Sequence, residues 1–121
     1  MSCVEGDILN PADLNRVFDA HDFAAVIHFA AKKAVGQSMQ DPHLYFENNS
    51  TGLINLIGAM RAHGVRSIVF SSSATVYGTP ETLPIPETAP LSFTNPYGFT
   101  KLACEQSLEQ VAASDDKWAF G

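Results

Sequence analysis

The residues best equipped for chemistry stand in one short run, Tyr97-Gly98-Phe99-Thr100-Lys101. If the run is helical, positions 97 and 101 fall one turn apart on the same face, with a rise of about 6 Å between them. An ammonium held near a phenol favours the phenolate. A free phenol titrates near ~10, so a phenolic base at neutral pH needs such help, and a second positive charge nearby would add to it. The pair is a candidate general base with its activating cation. Both residue types are common, and a tyrosine on a helix beside a solvated lysine is the plain alternative.

A second candidate lies upstream, in Ser71-Ser72-Ser73-Ala74-Thr75-Val76-Tyr77-Gly78. The serines directly follow an apolar run. A hydroxyl at the carboxyl end of a buried strand points into the crevice where open α/β sheets bind their ligands. Ser73 is the one placed to bond a substrate hydroxyl and share a proton with Tyr97; a turn-forming cluster is the alternative. No Gly-x-Ser-x-Gly elbow surrounds it, which argues against a serine hydrolase. Cys3 and Cys104 are far apart and lack metal-ligand spacing. They read as two reduced thiols in a cytoplasmic protein, with no metal expected.

The elements that must position these groups alternate along the chain. Val4-Glu5-Gly6-Asp7 reads as the tail of a strand. Asn10-Pro11 is a helix start, a capping residue followed by proline at the first helical position. Leu14, Val17 and Phe18 follow at helical spacing. Ala24 to Ala30 is a nearly continuous apolar run, as expected of a parallel strand covered on both faces. His28 within it reads as a core histidine rather than a catalyst. Asp41-Pro42 repeats the cap-and-proline signal. Leu44, Leu53, Ile54, Ile57 and Met60 then supply an apolar face, and Gly64 is the stop. Ser67 to Ser71 is a second buried strand. Pro80, Pro84, Pro86, Pro90 and Pro96 mark a long loop, and a loop of that length in a compact domain is expected to carry function. Asn95-Pro96 opens a last helix with Leu108, Val111 and Ala112 on its apolar face, and Trp118-Ala119-Phe120 begins another strand. This order predicts a parallel sheet flanked by helices, with chemistry just after Val4, Phe29 and Phe70.

Composition excludes several classes. The chain has 121 residues, 45% hydrophobic and 17% charged, and a net charge of -6. The apolar share is ordinary for a globular chain and excludes disorder. The acidic balance argues against a nucleic-acid partner. No apolar run approaches the roughly 20 residues of a membrane span.

Taken together, a strand, Ser-Ser-x-x-Val-Tyr-Gly, a proline-rich loop and Asn-Pro-Tyr-Gly-x-Thr-Lys resemble the extended short-chain dehydrogenase/reductase family. Within it the chain is most similar to the branch that epimerises nucleotide sugars. Val4 to Ile8, His28 to Ser38 and Tyr45 to Asn49 support that branch, in the right order. The dehydratase branch usually carries an Asp-Glu pair after the serines; here Ala74 and Thr75 stand there.

The resemblance implies a Rossmann-type, doubly wound parallel sheet. It also implies NAD-dependent epimerisation at C4 of a UDP-sugar, interconverting UDP-glucose and UDP-galactose through a 4-keto sugar. Asp7 and Ile8 match the pair at the adenine. Phe29, Ala30, Ala31 and Lys33 match the strand end that lines NAD. Asn48 matches a cofactor-contacting helix position, with Asn49 ranked below it as a residue that satisfies backbone groups. Ser71 falls with the cofactor-binding set. Ser73, Tyr97 and Lys101 match the catalytic set, with Ser73 and Tyr97 also meeting substrate. The plainer readings are that Asp7 caps a turn, that Phe29 packs in the core and that Lys32 is a surface charge.

The family's glycine-rich pyrophosphate turn does not occur among these residues. The expectation is therefore the central part of a longer, homodimeric enzyme, residues 1–121 running from the end of the third strand through the Tyr-x-x-x-Lys helix. The first strands and the substrate domain are then lacking. Alone it is expected to be inactive, with apolar strand faces uncovered. Another nucleotide-sugar epimerase, reductase or dehydratase, or a non-catalytic remnant, is the alternative.

Overall fold

The computed structural model describes residues 1–121. Its elements run α1 (Pro11–Ala20), β1 (Val26–His28), α2 (Val35–Gln40), α3 (Pro42–Tyr45), a π-helical turn (Phe46–Thr51), α4 (Gly52–Ala62), β2 (Ser67–Phe70), a 3-10 turn (Ala74–Val76), α5 (Pro96–Ser114) and β3 (Ala119–Phe120). The cap-and-proline starts form as their residue types require. Asn10 Oδ1 accepts the Ala12 N–H at 3.0 Å, Asp41 Oδ1 the Leu44 N–H at 3.1 Å and Asn95 Oδ1 the Gly98 N–H at 2.8 Å. Each cap satisfies an amide that the first helical turn leaves without a partner. Gly64 follows α4 with a φ of 75°, the left-handed conformation that closes a helix.

The three strands are parallel in the order β1-β2-β3. Val26 pairs with Ile68 and His28 with Phe70, while Ile68 also pairs with Phe120. Ile68 belongs to one buried core with Phe18 from α1, Leu53, Leu56, Ile57 and Met60 from α4, and Cys104 and Leu108 from α5. Burying each of the large aliphatic side chains stabilises the fold by about 1.5–3 kcal/mol. In α4 the buried positions 53, 56, 57 and 60 repeat at helical spacing. Ile54 lies off that stripe and is 60% exposed. It is not part of the apolar face expected of it, and Leu56 takes its place.

Two further expectations are corrected. Val4 to Asp7 form no strand, because no strand runs beside them to pair with their backbone. The Ala24 to Ala30 run yields only Val26–His28, and it is covered on one face. Ile27 and Val69, side by side in the register, point away from the helices and are 63% and 51% exposed. Among the helices, none is long and apolar enough to cross a membrane.

At the opposite end from the candidate chemistry, His63 joins α4 to α1. Its Nδ1 lies 2.8 Å from the Ala59 carbonyl oxygen and its Nε2 lies 2.7 Å from Asp19 Oδ1. Both neighbours only accept, so the imidazolium, which donates from both nitrogens, is the form that fits. The hydrogen bond to Asp19 is the main cause that raises the His63 pKa above its ordinary 6.5, with the Ala59 carbonyl adding to it. A raised folded-state value contributes stability that is complete below the ordinary value and is lost as pH rises through the folded one. The urea midpoint of the chain relative to Asp19→Asn should therefore be higher at about pH 5.5 than at about pH 8. An equal difference at both pH values would show that the contact carries no charge-dependent stability.

Candidate active site

Of the sequence-predicted groups, Ser71, Ser73 and Lys101 gather where α5 crosses the carboxyl end of β2. Two close contacts bring the helix there. Gly98 lies against the 3-10 turn, where an added Cβ would stand 3.1 Å from the Thr75 carbonyl oxygen. One turn on, Lys101 reaches the strand end and donates from Nζ to the Ser71 carbonyl at 2.7 Å. Lys101 is buried, and burial is the main cause that lowers its pKa, against the smaller raising effects of Cys104 and Glu105. Ser73 opens the 3-10 turn. Its Oγ accepts the Thr75 N–H at 3.2 Å and the Thr75 hydroxyl at 2.9 Å, so the side chain is oriented by the same turn that Gly98 touches. Ser71, Ser73, Gly98 and Lys101 are thus held by one helix–turn–strand junction.

Tyr97 is buried one helical turn before Lys101 on α5. Its N–H donates to Ser38 Oγ at 3.2 Å, and its ring meets the ring of Tyr45 edge-on at 6.4 Å. The Tyr45 hydroxyl accepts the Ala34 N–H and donates to Gln37 Oε1, both at 3.0 Å. Ser38 and Tyr45 are completely buried, so α2 and α3 form a fixed wall behind Tyr97. Sequence reasoning missed both as functional residues. They lie inside the stretches that carry the family resemblance, but no spacing rule marks a lone serine or tyrosine as a support.

The strand end proposed for the cofactor lies next to this junction. The Ser71 N–H donates to the His28 carbonyl at 3.1 Å, so the residues after β1 continue beside those after β2. Phe29 is 73% exposed and is not a core residue. Ala30 and Lys33 are exposed and Ala31 is half-buried. Asn49 holds this loop. Its Oδ1 accepts the Lys32 N–H at 2.8 Å, and its Nδ2 donates to the Lys32 carbonyl at 3.0 Å and to Thr100 Oγ1 at 3.1 Å. Half-buried Asn48 only donates to Asn49, at 2.9 Å, which leaves its other groups accessible. Asp7 stands apart from the junction. Its Oδ1 accepts the Leu9 N–H at 2.9 Å, the turn-capping alternative, while Ile8 packs where a Cβ on Gly52 would be.

His28 is buried and stacks on Phe70 at 5.9 Å, and burial first, then Lys101, lowers its pKa. Burial pushes the Cys104 thiol up to about 11, and the thiol donates to the Asn49 carbonyl at 3.4 Å. Cys104 is therefore an unreactive core thiol, and Cys3 is free and exposed. No group of three or more His, Cys, Asp or Glu side chains has the arrangement of a metal site.

A parallel sheet with small and hydroxyl residues at its strand ends, crossed by a helix bearing tyrosine and lysine one turn apart, defines a Rossmann-type domain of the short-chain dehydrogenase/reductase kind. The profile described as GDP-mannose 4,6 dehydratase matches residues 1–120, and the chain belongs to that family. Its relatives include UDP-glucose 4-epimerases. The one from Bos taurus is 51% identical over 115 residues, covering 94% of this chain and 33% of its own length. The one from Bacillus subtilis is 51% identical over 115 residues, covering 95% and 34%. The crystal structure of UDP-glucose 4-epimerase from Bifidobacterium longum, in complex with NAD+ and UDP, superposes with a TM-score of 0.93 at 46% identity, covering 97% of this chain and 35% of that one. The chain thus spans about a third of the length of the curated relatives it matches.

Two substitutions test how the junction is held. Gly98→Val should cost about 1–3 kcal/mol by forcing α5 from the Thr75 carbonyl, whereas Gly36→Ala, which meets nothing within 4 Å, should be near neutral in the same urea titration. Asn49→Ala should cost about 1–3 kcal/mol because it strands the Lys32 N–H and carbonyl, Thr100 keeping its own bond to the Tyr97 carbonyl, while Asn48→Ala stays within about 0.5 kcal/mol. Equal losses at 48 and 49 would contradict the bridging geometry.

Proposed function

We propose that residues 1–121 are the part of an NAD-dependent UDP-sugar 4-epimerase that contributes the proton-transfer and nicotinamide side of the site. The observation that carries this is the seating of Lys101 on the Ser71 carbonyl at the carboxyl end of β2, with Ser73 in the turn that follows and Tyr97 one helical turn before Lys101 on α5. The residues present suit the nicotinamide end of NAD. The strand end offers the exposed Phe29 and small Ala30 and Ala31, and the Lys101 ammonium has three donors, one of which is used on Ser71. NAD, when bound, supplies the hydride acceptor and donor at sugar C4.

In this reading the Tyr97 phenolic oxygen takes the proton from the 4-hydroxyl, directly or through Ser73 Oγ, and returns it to the other epimer. Lys101 steadies the negative charge on that oxygen and binds the nicotinamide ribose. Ser73 Oγ, which accepts from Thr75 twice, keeps its own O–H to donate to a sugar oxygen, and the relay route requires one Thr75 bond to yield so that Oγ can accept the 4-hydroxyl proton. Phe29, Ala30, Ala31, Lys33, Asn48 and Ser71 line the cofactor, and Asp7 with Ile8 meets the adenine. A homodimer without nucleic-acid or membrane partners, in the cytoplasm, completes the proposal. The unpaired Cys3 and Cys104 suit a reducing compartment.

The family description names a dehydratase, but no carboxylate stands after the serines. Ala74 and Thr75 occupy that turn, and the Thr75 hydroxyl is spent on Ser73. This favours epimerisation over dehydration.

The test is a chimera in which residues 1–121 replace the matching third of the Bacillus subtilis relative. It should interconvert UDP-glucose and UDP-galactose. Tyr97→Phe should lower its turnover at least ~100-fold while the purified protein still carries NAD. A folded, NAD-bearing chimera without activity on UDP-sugars rejects the reading, and turnover of Tyr97→Phe close to that of the parent chimera rejects Tyr97 as the base.

A further inference from the structure

Lys101 is 4% exposed and has no ionic partner: the ion pairs of the structure are Arg16–Asp13, His63–Asp19 and Arg66–Asp115. A buried ammonium without a counter-ion needs other stabilisation. Two groups at the carboxyl end of β2, its last residue and the one that follows, provide it. The Ser71 carbonyl accepts one N–H at 2.7 Å, and the ring of Phe70 lies under Nζ at 4.8 Å from its centroid. The negative face of an aromatic ring attracts a cation within about 6 Å, more strongly where water is excluded.

We propose that Phe70 is the positioning residue for Lys101, its ring face holding the ammonium at the strand end in place of a carboxylate. A carboxylate there would capture the N–H donors and cancel the charge. A ring attracts the cation and leaves donors for a ligand. The other groups facing Lys101 fit this division. His28, across from Phe70 on β1, stacks on the same ring with planes 24° apart, and its burial keeps it from adding a competing charge. From α5 itself come the Cys104 thiol, held in its neutral form, and Glu105, neither close enough to form an ion pair with Lys101. What the ammonium is for rests on the epimerase reading above; its seat on the ring does not.

The test needs no turnover. The chain contains four lysines, Lys32, Lys33, Lys101 and Lys117, so each side-chain carbon signal can be followed by NMR through a pH titration, with Lys101→Met identifying its own. Phenylalanine carrying one, two or three ring fluorines at position 70 keeps nearly the same shape while draining electron density from the ring face. The Lys101 midpoint should fall stepwise, by about half to one pH unit with three fluorines, while the other three lysines stay in place. The same series at Phe99, whose ring meets Phe46 and Phe93 instead, should leave Lys101 unmoved. A Lys101 midpoint indifferent to fluorination at 70, or coincident with those of the other lysines, overturns the inference. An inactive chimera would instead sink the epimerase reading and leave this one standing.

Discussion

The amide of Asn49 ties together the three stretches of chain on which the candidate site stands. It closes both backbone groups of Lys32, in the loop after β1, and bonds Thr100, on the helix that carries Tyr97 and Lys101. A buried primary amide is costly unless its oxygen and both N–H groups find partners. Here the cost is met only when loop, π-helical turn and α5 take up one mutual arrangement, so the need to satisfy the amide selects that arrangement. The π-helical turn is part of the same device. Between α3 and α4, Phe46–Thr51 adds the widened turn that leaves the Asn49 carbonyl free to accept from Cys104 rather than from its own helix alone. Such turns recur at functional sites because they free polar groups inside a helix.

With that frame fixed, α5 approaches β2 closely enough for a lysine to lie along the strand end. Burying Lys101 is unfavourable by itself, and its depressed pKa records this. The compensation is local: a carbonyl that strand pairing leaves open at the end of β2, and the ring that precedes it. The arrangement places a charged group in a region of low dielectric, where its field is stronger than it would be in water. Burial also lowers His28 and raises Cys104, so neither of these two groups adds a charge beside Lys101.

Much of this was legible in the residues. The caps Asn10, Asp41 and Asn95 are signals with a local mechanism, and each forms as read. Parallel pairing of the apolar runs followed from their separation by helical segments. The strand-end serines and the Tyr-x-x-x-Lys spacing located the junction because both depend on short-range geometry. What escaped were features decided by distant partners. Ser38 and Tyr45 matter only because α5 docks against them. Asn49 satisfies backbone groups as expected, but that these are the groups of Lys32, with Thr100 beside them, is decided by how the loop and α5 dock. The one-sided cover of Ile27 and Val69 could not be read from hydrophobicity, since a run buried on one face and a run buried on two can have the same composition.

That one-sidedness separates two properties of the chain. The junction is built from contacts between α5, the π-helical turn and the strand ends, all on or beyond the packed face of the sheet. The open face carries Ile27 and Val69, and the edge of β1 has no neighbouring strand. An uncovered apolar face and an unpaired edge favour association with further chain. Because the groups that orient Ser73 and Lys101 lie among residues that already contact one another, covering that face would add stability to the sheet without having to rebuild the junction. The chemistry-bearing end and the association-prone face are two consequences of the same alternation along β1 and β2. Ile68 turns inward to the helices, Val69 turns outward, and Phe70 turns back to meet His28 and Lys101.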